Sequence, residues 1–88
     1  MKRVLVLTNR KALGKVVEEK LTPHGYEVIV MEKSVEANPV VKEKKVDFVL
    51  FDVELALEEG PKALDTTREI NPDVPVVVTS LIREREST

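Results

Sequence analysis

An aspartate that closes an apolar run is the first residue of this chain able to do chemistry. Phe48-Val49-Leu50-Phe51 leads into Asp52, which places a carboxylate at the end of a strand, free for a cation or an electrophile or else hydrogen-bonded to nearby backbone. Thr8 and Asn9 follow a second run, Val4–Leu7, and Thr79 and Ser80 follow a third, Val76–Val78. Glu54, Glu58 and Glu59 come after Asp52 on what reads as a loop, a possible cation site but more simply a solvated acidic stretch. His24 is the single histidine, set between Pro23 and Gly25, where it reads as a helix C-terminal residue with no nucleophile or acid placed beside it. The Lys42–Lys45 cluster is short, contains Glu43 and has no aromatic residue, so it reads as a solvated helix end rather than a nucleic-acid patch.

The elements that must position these groups alternate. The three apolar runs are short, rich in Val and bounded by turn signals, as expected of strands buried on both faces of a parallel sheet. Tyr26–Met31, interrupted by Glu27, suits a strand nearer an edge. Leu13, Val16, Val17 and Leu21 recur at helical spacing and end at Thr22-Pro23-His24-Gly25. Asn38 as N-cap with Pro39 at the first helical position predicts a helix of about two turns near Pro39–Lys44. A further helix is expected from Pro61 through Ala63, Leu64, Thr67 and Ile70 to Asn71-Pro72. The order β-α-β-α-β-α-β implies an open parallel α/β sheet with right-handed crossovers.

Composition narrows the function classes. The 88 residues make one small domain, 42% hydrophobic and 34% charged, which argues against disorder. A net charge of −2 offers no general match for nucleic acid. The charge is uneven, with ten Lys/Arg against six acids in residues 1–45 and four against ten in residues 46–88. There are no cysteines, so disulfides and thiolate metal sites are excluded. No apolar run reaches the ~18 residues of a membrane span, and the basic start lacks the apolar length of a signal peptide. A cytoplasmic location is the default expectation.

With the runs, the spacing and Asp52 in view, the chain resembles the receiver domain of bacterial two-component response regulators over residues 2–81. Lys2–Leu7 is similar to the family's first strand, and His24-Gly25-Tyr26-Glu27-Val28 to the entry into its second. Asp47–Val53 looks like the third strand ending in the phosphoacceptor aspartate, with Gly60 at the loop glycine. Ile70–Val78 resembles the lead into the fourth strand. The resemblance implies a flavodoxin- or CheY-like sheet of order 2-1-3-4, without the fifth βα unit. Residues 1–88 then form a single truncated receiver-like domain, with 81–88 as a short tail or helix stub.

The family's phosphotransfer site combines an acidic pair after strand one, the phosphoacceptor, a hydroxyl after strand four and a lysine on strand five, since cations must offset the charge that develops on phosphate. Here Thr8 and Asn9 stand at the acidic pair, Asp52 matches the phosphoacceptor and Ser80 the switch hydroxyl. Leu81 replaces the small residue that follows it, and no counterpart of the lysine is present. The resemblance therefore implies a pseudo-receiver, not an enzyme, that signals through protein contacts without phosphorylation or cofactor. The alternative is an active phosphoacceptor at Asp52, which would require Mg2+. A small polar ligand at the crevice of Thr8, Asn9 and Asp52 is a weaker third reading, since no glycine-rich phosphate loop accompanies it.

Truncation leaves the first helix alone on its face of the sheet and makes Val76–Val78 an edge with no lysine, internal proline or glycine to blunt it. Val76, Val77, Val78 and Thr79 are thus the expected association edge, for a protein partner or for a second copy in a dimer. No nucleic-acid or membrane partner is expected.

Overall fold

Val4, Leu5, Val6 and Leu7 are each 0–1% exposed. Four consecutive buried residues, pointing alternately to opposite faces, require a central strand covered on both sides. The computed structural model, which describes residues 2–79, has that arrangement. Its elements are β1 (Lys2–Leu7), α1 (Lys11–Leu21), β2 (Tyr26–Met31), α2 (Ser34–Lys42), β3 (Phe48–Phe51), α3 (Val53–Glu59), α4 (Pro61–Ile70) and β4 (Val76–Val78), with a 3-10 turn at Thr22–His24. All strand pairs are parallel and the order is β2-β1-β3-β4. The 2-1-3-4 sheet expected from the sequence is the sheet observed.

The two faces are unequal. Leu5, Leu7, Val49 and Phe51 point into the main core with Ala37 and Val41 of α2, Leu55 of α3 and Val74, against which Leu64 and Ile70 of α4 also pack. Burying each such side chain contributes roughly 1.5–3 kcal/mol. The other face carries α1. There Gly14 is buried, and a Cβ on it would lie 3.2 Å from a Val30 methyl, so the missing side chain lets the helix sit close on β2. Val16, placed on the apolar stripe by its spacing, is 49% exposed instead.

Two helices differ from expectation. α2 begins at Ser34, not near Pro39, and Pro39 lies inside it. Ala37 and Val41, one turn apart, are both fully buried, and covering both requires a helix that starts before the proline. That burial outweighs the missing Pro39 N–H, a cost of about 3 kcal/mol in a helix interior. Asn38 is accordingly not an N-cap; its side-chain oxygen accepts the Thr67 hydroxyl at 3.0 Å, joining α2 to α4. The stretch with Glu54, Glu58 and Glu59 is the helix α3 rather than a loop.

Gly60 separates α3 from α4 by a single residue at φ +100°, ψ 162°, a conformation essentially reserved to glycine. Gly60→Ala is expected to lower stability by roughly 1–2 kcal/mol through backbone strain alone, because no atom lies within 4 Å of the added Cβ. Urea denaturation of the two proteins measures the difference.

Candidate functional site

Parallel strands deliver their C-terminal ends to one rim of the sheet, where β1, β2 and β3 are tied by backbone. The Asp52 amide donates to the Leu7 carbonyl and the Thr8 amide to the Met31 carbonyl, each at 2.9 Å. These bonds bring Thr8 and Asp52, 44 residues apart, into contact. Asp52 is also the N-cap of α3, its Oδ1 accepting the Glu54 amide at 3.0 Å. An aspartate before Glu54, Leu55 and Ala56 is a favoured helix start.

The Asp52 carboxylate is 0% exposed and accepts four hydrogen bonds. Oδ2 takes the Thr8 hydroxyl at 2.6 Å and Arg10 Nε at 2.9 Å. Oδ1 takes Arg10 Nη2 at 2.9 Å and the Glu54 amide. A carboxylate has about four lone-pair positions, and each is used. Arg10 engages as a planar fork, the geometry that distinguishes guanidinium from ammonium. Thr8 aims the fork, since its hydroxyl oxygen also accepts the Arg10 amide at 3.0 Å. Arg10 was not among the residues singled out from sequence. The signal available was a basic residue two positions after Thr8, where a side-chain cation can take the place of a metal that the absent acids would hold.

Burial pushes the Asp52 carboxyl up, but the Arg10 and Thr8 side-chain bonds, the Glu54 amide and the charge of Arg10 outweigh it and hold the group below the usual carboxylate range. Arg10 is raised in turn by its hydrogen bond to Asp52, against its own desolvation and with the charges of Asp52 and Glu54 in support. Glu54 lies 3.6 Å from Arg10 Nη1.

The other expected site residues are committed to structure. Asn9 donates from Nδ2 to Glu58 at 3.0 Å. Glu59 accepts the Ser34 amide at 3.2 Å, at the start of α2. These two bonds strap α3 across the ends of β1 and β2. Among the described residues, no group of three or more His, Asp or Glu side chains is arranged to hold a metal ion, so the three glutamates after Asp52 do not converge. Thr79 turns toward the site, its Oγ1 accepting the Val53 amide at 3.2 Å. Ser80, the expected switch hydroxyl, and the tail 81–88 lie outside the described residues. His24 sits in the 3-10 turn beside Gly25, away from the Asp52 cluster. Lys42 ends α2, and Lys45 meets Glu43 at 3.3 Å with both side chains exposed.

A parallel α/β sheet of order 2-1-3-4 with one carboxylate at the end of its third strand defines a receiver-type signalling domain. The model of the response regulator receiver domain matches residues 4–88, and the chain belongs to that family. It is 32% identical over 99% of its length to the regulatory protein VirG of Agrobacterium fabrum, of which it covers 34%. It is 27% identical over 85% of its length to the transcriptional regulatory protein GlrR of Escherichia coli, of which it covers 17%. The chain thus spans about a third or less of these relatives. No helix among the described residues is long and apolar enough to cross a membrane.

Removing one partner of a buried ion pair costs about 3–5 kcal/mol when the other is left bare. Arg10 is 43% exposed, so water can reach part of the gap. Arg10→Ala is therefore expected to cost roughly 2–3 kcal/mol in urea denaturation, and Arg10→Lys less, since it keeps the charge but loses the fork. The lowered Asp52 carboxyl stabilises the fold fully above the ordinary aspartate range of about 3.9, and that stability is lost as pH falls below it. The stability gap between the wild-type chain and Asp52→Asn should accordingly stay constant from neutral pH down to about 5 and close below about 4.

Proposed function

We propose that this receiver domain works without phosphorylation, as a module that signals through protein contacts and carries no catalytic group. The observation behind the proposal is the saturated Asp52 carboxylate. To attack a phosphoryl donor, Asp52 would need a free lone pair and a cation shared with the donor's oxygens. All four lone-pair positions are taken, and the cation beside them is a side chain bonded to the nucleophile itself. Thr8 and Asn9, standing where the family has its acidic pair, bring no negative charge to recruit Mg2+. Breaking the Arg10 fork to admit Mg2+ would leave Arg10 held only by Glu54 at 3.6 Å.

Contacts then carry the signal, and the β4 edge is the surface that suits them. Val77 is 50% exposed on the sheet face opposite the main core. β3 covers one side of β4, and no strand pairs with its other side among the described residues. Such an edge is a template for another chain. The relatives named above are regulators of which this domain is only a part, so the proposal concerns the module alone.

An amide NMR spectrum recorded before and after adding Mg2+ and beryllofluoride, a mimic of acyl phosphate, tests the reading. The expected result is an unchanged spectrum around Thr8, Asn9, Arg10 and Asp52. Saturable shifts at those residues would instead make Asp52 a working phosphoacceptor with Mg2+ as its cofactor.

A further inference from the structure

Two features of this chain stand between Asp52 and the metal ion that its family implies, and they are separable. One is the lack of acids at Thr8 and Asn9, and the other is Arg10. The described residues do not fit the ion as they stand, because the place beside Asp52 is filled by a guanidinium.

Arg10 sits where helix physics disfavours it. It is the N-cap of α1, at φ −99° and ψ 107°, and its carbonyl accepts the Leu13 and Gly14 amides. Ser, Thr, Asp and Asn are favoured at this position because their side chains accept a backbone amide, whereas Arg10 makes no side-chain cap bond. A cation also has the wrong sign for a helix N-terminus. Lys11 follows directly, and the first turn of α1 holds no acid to offset either charge. The Arg10 side chain thus does nothing for the helix that it begins, and it turns instead to two carboxylates.

All three guanidinium nitrogens face carboxylate oxygens. Nε and Nη2 bond Asp52 Oδ2 and Oδ1 at 2.9 Å each, and Nη1 lies 3.6 Å from Glu54 Oε2. Glu58 and Glu59 are turned elsewhere, to Asn9 and to the Ser34 amide. Without the guanidinium, each Asp52 oxygen would keep one donor, the Thr8 hydroxyl on Oδ2 and the Glu54 amide on Oδ1, and would regain one free lone pair. Two neighbouring negative charges would lose their counter-charge. Arg10 is 43% exposed, so shortening it would also open the carboxylate to water. Mg2+ keeps several waters of its own and is commonly held by one or two carboxylates.

We propose that Arg10 is a lock, a tethered cation that excludes divalent ions from a carboxylate pair, Asp52 and Glu54, able to bind one once the arginine is gone. The proposal rests on the reading of Asp52 as silent and names the residue that keeps it so. The missing acids at positions 8 and 9 weaken the site, and the arginine closes it.

Titration with Mg2+ alone, followed by amide NMR, tests the lock. Arg10→Asn removes the guanidinium and supplies a favoured N-cap for α1, so that loss of the fork is not compounded at the helix start. The wild-type spectrum should stay unchanged around Thr8, Asp52 and Glu54, and the Arg10→Asn spectrum should show saturable shifts there. Adding Glu54→Gln to Arg10→Asn should weaken binding about tenfold or more. If Arg10→Asn is unfolded in metal-free buffer, far-UV circular dichroism should show Mg2+ restoring the fold, since an ion that binds only the folded state stabilises it. An Arg10→Asn chain that Mg2+ neither shifts nor refolds overturns the proposal. So do wild-type shifts with Mg2+ alone, shifts confined to Glu58 and Glu59, or a double variant that binds as tightly as the single one. Silence of both wild type and Arg10→Asn overturns the lock while the reading of a silent Asp52 stands; that reading falls to wild-type shifts with Mg2+ and beryllofluoride together.

Discussion

A carboxylate withdrawn from water at the end of β3 is the constraint around which the rim of this protein is arranged. Left bare, it would either take up a proton or unfold its surroundings. Four donors prevent both, and they come from three residues: Thr8 and Arg10 after β1, and Glu54 in the first turn of α3. The local geometry of each is set by the same requirement. Thr8 holds the Arg10 backbone as well as Asp52, and α3 starts where it does because Asp52 caps it. The seven-residue helix is too short to persist on its own. Its cap, the buried Leu55 and the bonds from Glu58 and Glu59 supply what its length does not.

Charge carries the comparison with the rest of the family. Where the family's pattern has two acids and a metal ion facing the aspartate, this chain has a hydroxyl, an amide and, one position on, a guanidinium. A cation is kept beside the aspartate, but it is one singly charged side chain of the protein in place of a divalent ion held by two further acids. A tethered cation has a high effective concentration that dilution cannot lower. The chain belongs to the receiver family, and its aspartate is neutralised from within.

Much of the fold was readable in the residues because burial on both faces writes itself as unbroken Val and Leu runs, as in Val4–Leu7 and Phe48–Phe51. The strand order came with the family resemblance. What escaped were features decided by tertiary contact. Pro39 argued for a late helix start, yet the core needed Ala37 and Val41 together. Asp52 read as a strand end with a loop behind it, although Asp52 followed by Glu54, Leu55, Ala56 and Leu57 and closed by Gly60 is also a capped helix. Arg10 carries no family signal, because the family pattern concerns the two positions before it. A lone arginine after a strand gains meaning only once an unmatched aspartate is known to lie beside it.

Thr79 joins parts of the molecule otherwise described separately. Its amide completes the β3–β4 ladder on the Phe51 carbonyl, while its hydroxyl receives the Val53 amide at the first residue of α3. The end of the outer strand and the helix that covers the carboxylate therefore share one residue. Loss of this one side chain would leave the Val53 amide without its acceptor while keeping the strand bond. The rim and the edge of this sheet thus meet at one threonine, whose amide serves the strand and whose hydroxyl serves the helix.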